Sequence, residues 1–249
     1  MLQVRPDEVH ARLVALGFDD AKASVLADHF LDAERRGKRG HGFSRVAWLA
    51  TQEIDPQAEP ERLVAEDGYE RWDGRGALGY LTLAAICDAQ VSAPPSAARV
   101  VVASHCFPTG MLGFWTRRLA DAGLVAALTA TSPARLAHPD GGPPLAGTNP
   151  LSIAIPSSDG RPVVADVSMG QVTYGDVIAG LASQEDLVPF GGDQAHKAFA
   201  LALGLQLLVD ALAGEGYGAV LLVAKPSADP VPELRRVAEG IRLPGDTKA

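Results

Sequence analysis

Residues 99–131, RVVVASHCFPTGMLGFWTRRLADAGLVAALTAT, carry the pattern that decides the fold class. A valine-rich run, RVVVAS, gives way to a segment near 110–122 that reads as helix, and then to a second apolar run, GLVAALTAT. Apolar strands spaced by helices are the material of a sheet with helices packed on it. The alternation continues downstream, with strands expected in PLSIAIP, PVVADVS and YGAVLLVAKP and helices near 172–182 and 195–213. Upstream, RLVAE and YERWD flank Asp67-Gly68, a hairpin signal, and GYLTLAAICDAQVSA returns to helix.

The first 60 residues read differently. Val9, Leu13 and Leu16, then Val25, Leu26, Phe30 and Leu31, follow a 3.6-residue period and mark two helices split by a turn at Gly17-Phe18-Asp19. A third helix is expected from Ser44 towards Gln52, stopping before Pro56. The expectation is an α/β protein in which a helical segment over 1–60 packs on a mixed-sheet domain over 61–249.

A chain of 249 residues is long enough to bury a sizeable core without disulfides or metals. Its net charge of −8 argues against bulk nucleic-acid or membrane-surface binding, since both need a broad basic face. Cys87 and Cys106 form no disulfide framework and no zinc spacing, which suits reduced thiols in a cytoplasmic protein. No unbroken apolar run of membrane-spanning length is present, and the N-terminus has no signal-peptide pattern.

Against that acidic background stands Glu34 to Arg45, ERRGKRGHGFSR, with four arginines and a lysine around one histidine between glycines. The glycines leave the backbone free and the His41 imidazole uncrowded. Arg36, Lys38, Arg39 and Arg45 would depress the His41 pKa until an anion or a carboxylate balanced them, which suits a proton donor that meets an acidic substrate. Arg45 can offer a guanidinium fork to that carboxylate. A plain basic turn between two helices is the competing reading, and spacing alone does not choose.

Other features are weaker. Gly74 to Gly79, GRGALG, matches the dinucleotide GxGxxG, but its strand is short and charged and no acidic residue lies at ribose distance, so a simple glycine turn is expected. Ser132 to Gly147 is long, rich in proline and glycine and aperiodic, as functional loops often are. His138 within it could guard a site, though a solvated loop histidine is the plainer reading. His10 and His29 lie in amphipathic helices and read as surface or packing residues. Ser104-His105-Cys106 is a poor nucleophile–base pair, because neighbours on a strand point to opposite faces. Trp48, Trp72 and Trp115 read as core or interface.

AERRGKRGHGFSR (33–45) resembles the ADxRGxxSHGxxR segment of the type-2 malate/L-lactate dehydrogenase family, which includes the Δ1-piperideine-2-carboxylate/Δ1-pyrroline-2-carboxylate reductases. LAGTNPLSIAIP (145–156), PVVADVSMGQVTYGDV (162–177) and PFGGDQAHKAFALAL (189–203) are similar to further segments of that family, in order. The resemblance implies a homodimer with a non-Rossmann nicotinamide-dependent dehydrogenase fold, using NADPH or NADH on a small carboxylate substrate. It implies His41 as the group that gives or takes the substrate proton, with Arg45 and Thr148 holding the substrate. Asp166, Val167, Ser168, His196 and Lys197 would line the cofactor. Asp176 matches the imine reductases in particular and would raise the His41 pKa against the arginines.

The chain also departs from the family. Gly40 stands where the family has serine, and Pro108 where it has a cofactor-contacting histidine, with His105 three residues earlier as a substitute candidate. GGDQAHKA carries an insertion and places Ala198 at a glycine position. The stretch from Asp176 to His196 is short, and after RLPGD the family continues, so the cofactor side is expected to be trimmed. Two alternatives follow: a cofactor-independent acid–base enzyme (isomerase, lyase or cyclase) on the same fold, or a non-catalytic homologue.

Overall fold

The structure is a computed structural model that describes residues 5–247. Three helices open the chain: α1 (Pro6–Ala15), α2 (Asp20–Arg35) and α3 (Ser44–Leu49). α2 starts where Asp19 accepts the Lys22 backbone N–H at 2.8 Å, an N-cap that satisfies one of the helix's free donors. It buries Ala23, Leu26, Ala27, Phe30 and Ala33; of the periodic residues read in the sequence, Leu26 and Phe30 are buried while Val25 and Leu31 are only partly so. α3 stops at Leu49, a turn earlier than the sequence pattern suggests.

Then follow β1 (Glu61–Ala65), β2 (Tyr69–Asp73), α4 (Gly79–Ser92), β3 (Ala98–Ser104), α5 (Leu112–Asp121) and β4 (Val125–Ala130). The chain continues with β5 (Leu151–Ile155), β6 (Val163–Val167), α6 (Tyr174–Ile178), α7 (Ala195–Ala213), β7 (Ala219–Ala224) and α8 (Val231–Val237). α6 is much shorter than the 172–182 helix expected, because the chain turns out of it at Gly180, where φ is 71°.

The seven strands form one mixed sheet in the order β1-β2-β3-β7-β4-β5-β6. Only β2 and β3 pair in parallel, joined through α4. β7 is inserted between β3 and β4 and runs antiparallel to both. Alternation along the strands divides the two faces. Val101 and Ala103 of β3, Leu128 of β4 and Leu221 of β7 enter the main core with α4 and α5, while Val102 packs with Val209 and Ala213 of α7. Val9, Leu13, Leu26 and Phe30 of the N-terminal helices belong to that same main core.

α7 covers only part of its face: Leu201, Leu207, Leu208 and Leu212 are exposed. The helical stretch Gly192–Ala213 is, among the described residues, the one segment long and apolar enough to cross a membrane by length and composition. No unbroken apolar run was expected there, and Lys197, Gln206 and Asp210 do interrupt it.

Candidate functional site

The basic turn is built by two reversals. Gly37, at φ 72°, swings the chain away from the end of α2, and a 3₁₀ turn over Arg39–His41 brings the imidazole round before α3 begins. The Glu34 carboxylate ties the turn back by accepting the Phe43 N–H at 2.8 Å. The five cations separate. Arg36 is spent on Asp32, with Nε 2.8 Å from Oδ2, and on the Gly245 carbonyl. Arg35 and Arg39 face solvent, whereas Lys38 and Arg45 line a cavity of about 670 Å³ together with His41.

Arg45 is 8% exposed and has no carboxylate within ion-pairing distance among the described residues. Its Nε donates to the Gly40 carbonyl at 2.9 Å, and its guanidinium carbon lies 5.0 Å from the Trp48 ring centroid. Such a group is expensive to keep dry and unpaired, so an anion entering the cavity meets a partly desolvated, pre-oriented fork. Across the cavity lining, Lys38, Arg45 and Arg135 outnumber Asp166 and Asp176. Locally the sign is opposite to that of the whole chain.

The position of the turn depends on two glycines that touch. A methyl group on Gly40 would sit 2.6 Å from the Asp176 backbone nitrogen, and one on Gly175 would sit 2.7 Å from Arg45 Nη2. A serine at position 40 would have no room in this arrangement. Asp176 is engaged as a helix cap. Its Oδ2 accepts the Thr173 N–H and hydroxyl, both at 2.8 Å, and its own N–H returns to Thr173 Oγ1 at 3.2 Å.

This corrects one expectation. Asp176 lines the cavity near His41, but it does not lift the histidine's pKa. Burial first, then the Arg45 and Lys38 charges, push His41 down to about 3. His41 is therefore neutral at pH 7 in the ligand-free site, and its buried Nδ1 has no partner among the described residues.

Thr148, Asp166, Val167 and Ser168 also line the cavity. Thr148 is held by its neighbour Asn149, a residue at φ 22° and fully buried. The Asn149 amide donates to the Ala202 carbonyl at 3.0 Å and to Gln206 Oε1 at 2.9 Å, and its Oδ1 accepts the Ser132 N–H at 3.3 Å. The Thr148 carbonyl in turn accepts the Met169 N–H at 2.8 Å. Asp166 accepts the Gly113 N–H at 2.8 Å at the start of α5, and burial raises its pKa.

His196 and Lys197 are not brought in. They sit on the outward side of the first turn of α7, whose Ala195, Ala198 and Phe199 face inward, and neither reaches the cavity. His105 also turns away from it: at φ 50° its Nδ1 meets Asp73 Oδ1 at 2.9 Å. The following residues, Phe107 to Gly110, do line the cavity, with a cis Phe107–Pro108 peptide. The GxGxxG turn serves this loop. A methyl on Gly79 would lie 2.8 Å from the Cys106 carbonyl carbon and the Phe107 nitrogen, so backbone packing itself requires glycine there.

Sequence reasoning missed several cavity residues. Trp48, read as core or interface, does pack against the main core and also lines the cavity under Arg45. Tyr80, the residue after the discounted glycine motif, lines the cavity although it is 1% exposed. Arg135, in the long loop, stacks 3.4 Å from the Tyr174 ring centroid. Only the aperiodicity of that loop pointed towards it.

A mixed α/β sheet whose cleft sets a neutral imidazole beside an unpaired, buried guanidinium describes a protein that receives an anion next to a proton-transfer group. The chain belongs to the malate/L-lactate dehydrogenase family, whose sequence model matches residues 6–187. It is 32% identical over 232 residues to a Δ1-pyrroline-2-carboxylate/Δ1-piperideine-2-carboxylate reductase of Pseudomonas putida, covering 80% of this chain and 66% of that protein. With a (2R)-3-sulfolactate dehydrogenase (NADP+) of Chromohalobacter salexigens it shares 30% over 241 residues, 84% of this chain and 70% of that one. The chain thus spans about two thirds of the length of these relatives. The crystal structure of the Δ1-piperideine-2-carboxylate reductase of Pseudomonas syringae pv. tomato superposes with a TM-score of 0.83 at 25% identity, covering 97% of this chain and 89% of that chain.

Proposed function

We propose that this protein reduces a small 2-imino or 2-oxo carboxylate with NADPH or NADH. The observation that carries the reading is Arg45, buried without a carboxylate partner, in one cavity with His41. A substrate carboxylate at Arg45 cancels the largest charge that depresses His41, so binding itself raises the imidazole's proton affinity. His41 then holds a proton at the substrate's C2 nitrogen or oxygen as that atom gains charge. Thr148 offers a hydroxyl to the same ligand, and Trp48 keeps water from the guanidinium.

The cavity's volume of about 670 Å³ falls in the ~300–1,000 Å³ range of sites for drug-sized ligands, more than a small acid fills. Asp166, Val167 and Ser168 of the same lining would hold a nicotinamide beside the acid. That group supplies the hydride when bound, and the chain's part is to orient the acid and manage its proton. His196 and Lys197, outside the cavity, have no part in this reading. Buried thiols at Cys87 and Cys106 suit a reducing, cytoplasmic setting, and the exposed leucines of α7 suit association with a second copy.

The test is NAD(P)H oxidation with Δ1-pyrroline-2-carboxylate, Δ1-piperideine-2-carboxylate and pyruvate, together with cofactor titration by fluorescence. His41→Ala is expected to lower kcat by about 10²–10⁴-fold. Saturable turnover that survives His41→Ala unchanged, or absence of NAD(P)H binding by the wild type, refutes the reading.

A further inference from the structure

Four buried side-chain polar atoms lack a hydrogen-bond partner among the described residues: His29 Nδ1, His41 Nδ1, Tyr80 OH and Arg235 Nε. Three of them share one neighbourhood. Tyr80 and His41 line the same cavity, and His29 packs edge-on to Tyr80 with ring centroids 4.9 Å apart. An unpaired buried hydroxyl carries a desolvation cost, and in native proteins such a group calls for an explanation, often a functional one.

The aim of the hydroxyl is set by the packing of its ring. Phe30 meets it edge-on at 5.4 Å on the α2 side. Gly110 closes from the loop side, so near that a methyl there would collide with Tyr80 Cε1 and lie 2.5 Å from His29 Cε1. His29 is itself held, accepting the Met111 N–H at its Nε2 at 2.9 Å and stacking on Trp115 at 5.6 Å. The ring is therefore clamped from both the α2 and the loop sides. Arg45 is the charged group whose field reaches the phenol.

We propose that Tyr80 is a specificity residue whose hydroxyl donates to the substrate carboxylate that Arg45 holds. This rests on the reading of the cavity as a site for a 2-imino or 2-oxo acid. One carboxylate accommodates both donors, because its two oxygens offer about four lone-pair sites. Arg45 has already committed Nε to Gly40, which leaves its terminal nitrogens for the ligand and a second acceptor position for the phenol. His41 remains free to address the reacting heteroatom. A pre-aimed hydroxyl loses little entropy on binding, so its hydrogen bond counts fully towards affinity.

The test is Tyr80→Phe, which keeps the ring and removes the donor. Two quantities are compared with wild type: steady-state NAD(P)H oxidation with Δ1-pyrroline-2-carboxylate, and binding of pyruvate read by tryptophan fluorescence. A hydrogen bond to a charged group is worth about a tenfold change in affinity or more. The variant should raise KM and the pyruvate Kd about tenfold, hold kcat within about twofold, and melt no lower than wild type, since the lost hydroxyl had no protein partner. Unchanged KM and Kd overturn the inference and leave the reductase reading standing. A lower melting temperature with kcat and KM both impaired assigns Tyr80 to packing alone and also overturns it. A wild type that neither binds pyruvate nor oxidises NAD(P)H removes the reading of the site, and this inference with it.

Discussion

Acidifying the protein from pH 6.5 to pH 5.0 is expected to weaken its fold through two histidines. His29 is fully buried, and burial is the first cause that pushes its pKa down to about 3, followed by the charge of His41. In the unfolded chain the same imidazole titrates near 6.5. Below pH 6.5 the unfolded state therefore binds a proton that the folded state refuses, and stability falls with pH until the folded pKa is reached. Each full proton of difference is worth about 1.4 kcal/mol per pH unit, so His29 alone removes roughly 1.5–2 kcal/mol over this interval. His41, pushed down to about 3 by burial, Arg45 and Lys38, acts in the same direction. The window ends at pH 5.0, above the ordinary range in which exposed carboxylates titrate. Urea unfolding at several pH values, followed by tryptophan fluorescence, measures the slope for wild type and His29→Gln. The variant should lose about half of the wild-type pH dependence, whatever its absolute stability. Identical slopes would refute the claim that His29 is held neutral. Saturating pyruvate should flatten the wild-type slope further, because a carboxylate at Arg45 raises His41.

Three other outcomes follow from the site's construction. Gly40→Ala places a methyl against the backbone of Asp176 and Gly175, and should cost about 1–3 kcal/mol by overpacking, or roughly 2–10 °C in Tm, with KM raised as Arg45 is displaced. Asn149→Leu removes three hydrogen bonds around a buried position, so thermal unfolding should show a loss of about 2–4 kcal/mol. Arg45→Met, which keeps an unbranched apolar side chain but removes the guanidinium that lies over Trp48, should raise KM for any 2-oxo acid about a hundredfold while leaving Tm unchanged or higher.

The fold was largely legible because its signals are local. Valine-rich runs such as Val100–Val102 and the periodic residues of α2 report their own secondary structure, and the structure places strands and helices where those patterns fall. The short α6 escaped because apolar content alone cannot show that Thr173 and Asp176 close a capping box that Gly180 ends within two turns. The resemblance carried by the His41 turn and by GTNP led to the right family and brought His41, Arg45, Thr148 and Asp166 to one cavity.

Composition and periodicity could not say which face of an element meets which neighbour. His196 and Lys197 sit one and two residues from the buried Ala195, and the packing of α7 on the sheet, decided far away in sequence, turns them outward. Asp176 was singled out by the resemblance to the imine reductases, yet tertiary contact with Gly40 and a local cap govern what its carboxylate touches. Tyr80 directly follows a discounted glycine motif, and it became a cavity residue only when Gly110, His29 and Phe30 closed around its ring. Sequence alone thus determined the strands, most of the helices and the inventory of chemical groups, since those depend largely on neighbours along the chain. Tertiary structure decided which groups are dry, unpaired and aimed at a ligand, because burial and Coulomb fields depend on distance through space.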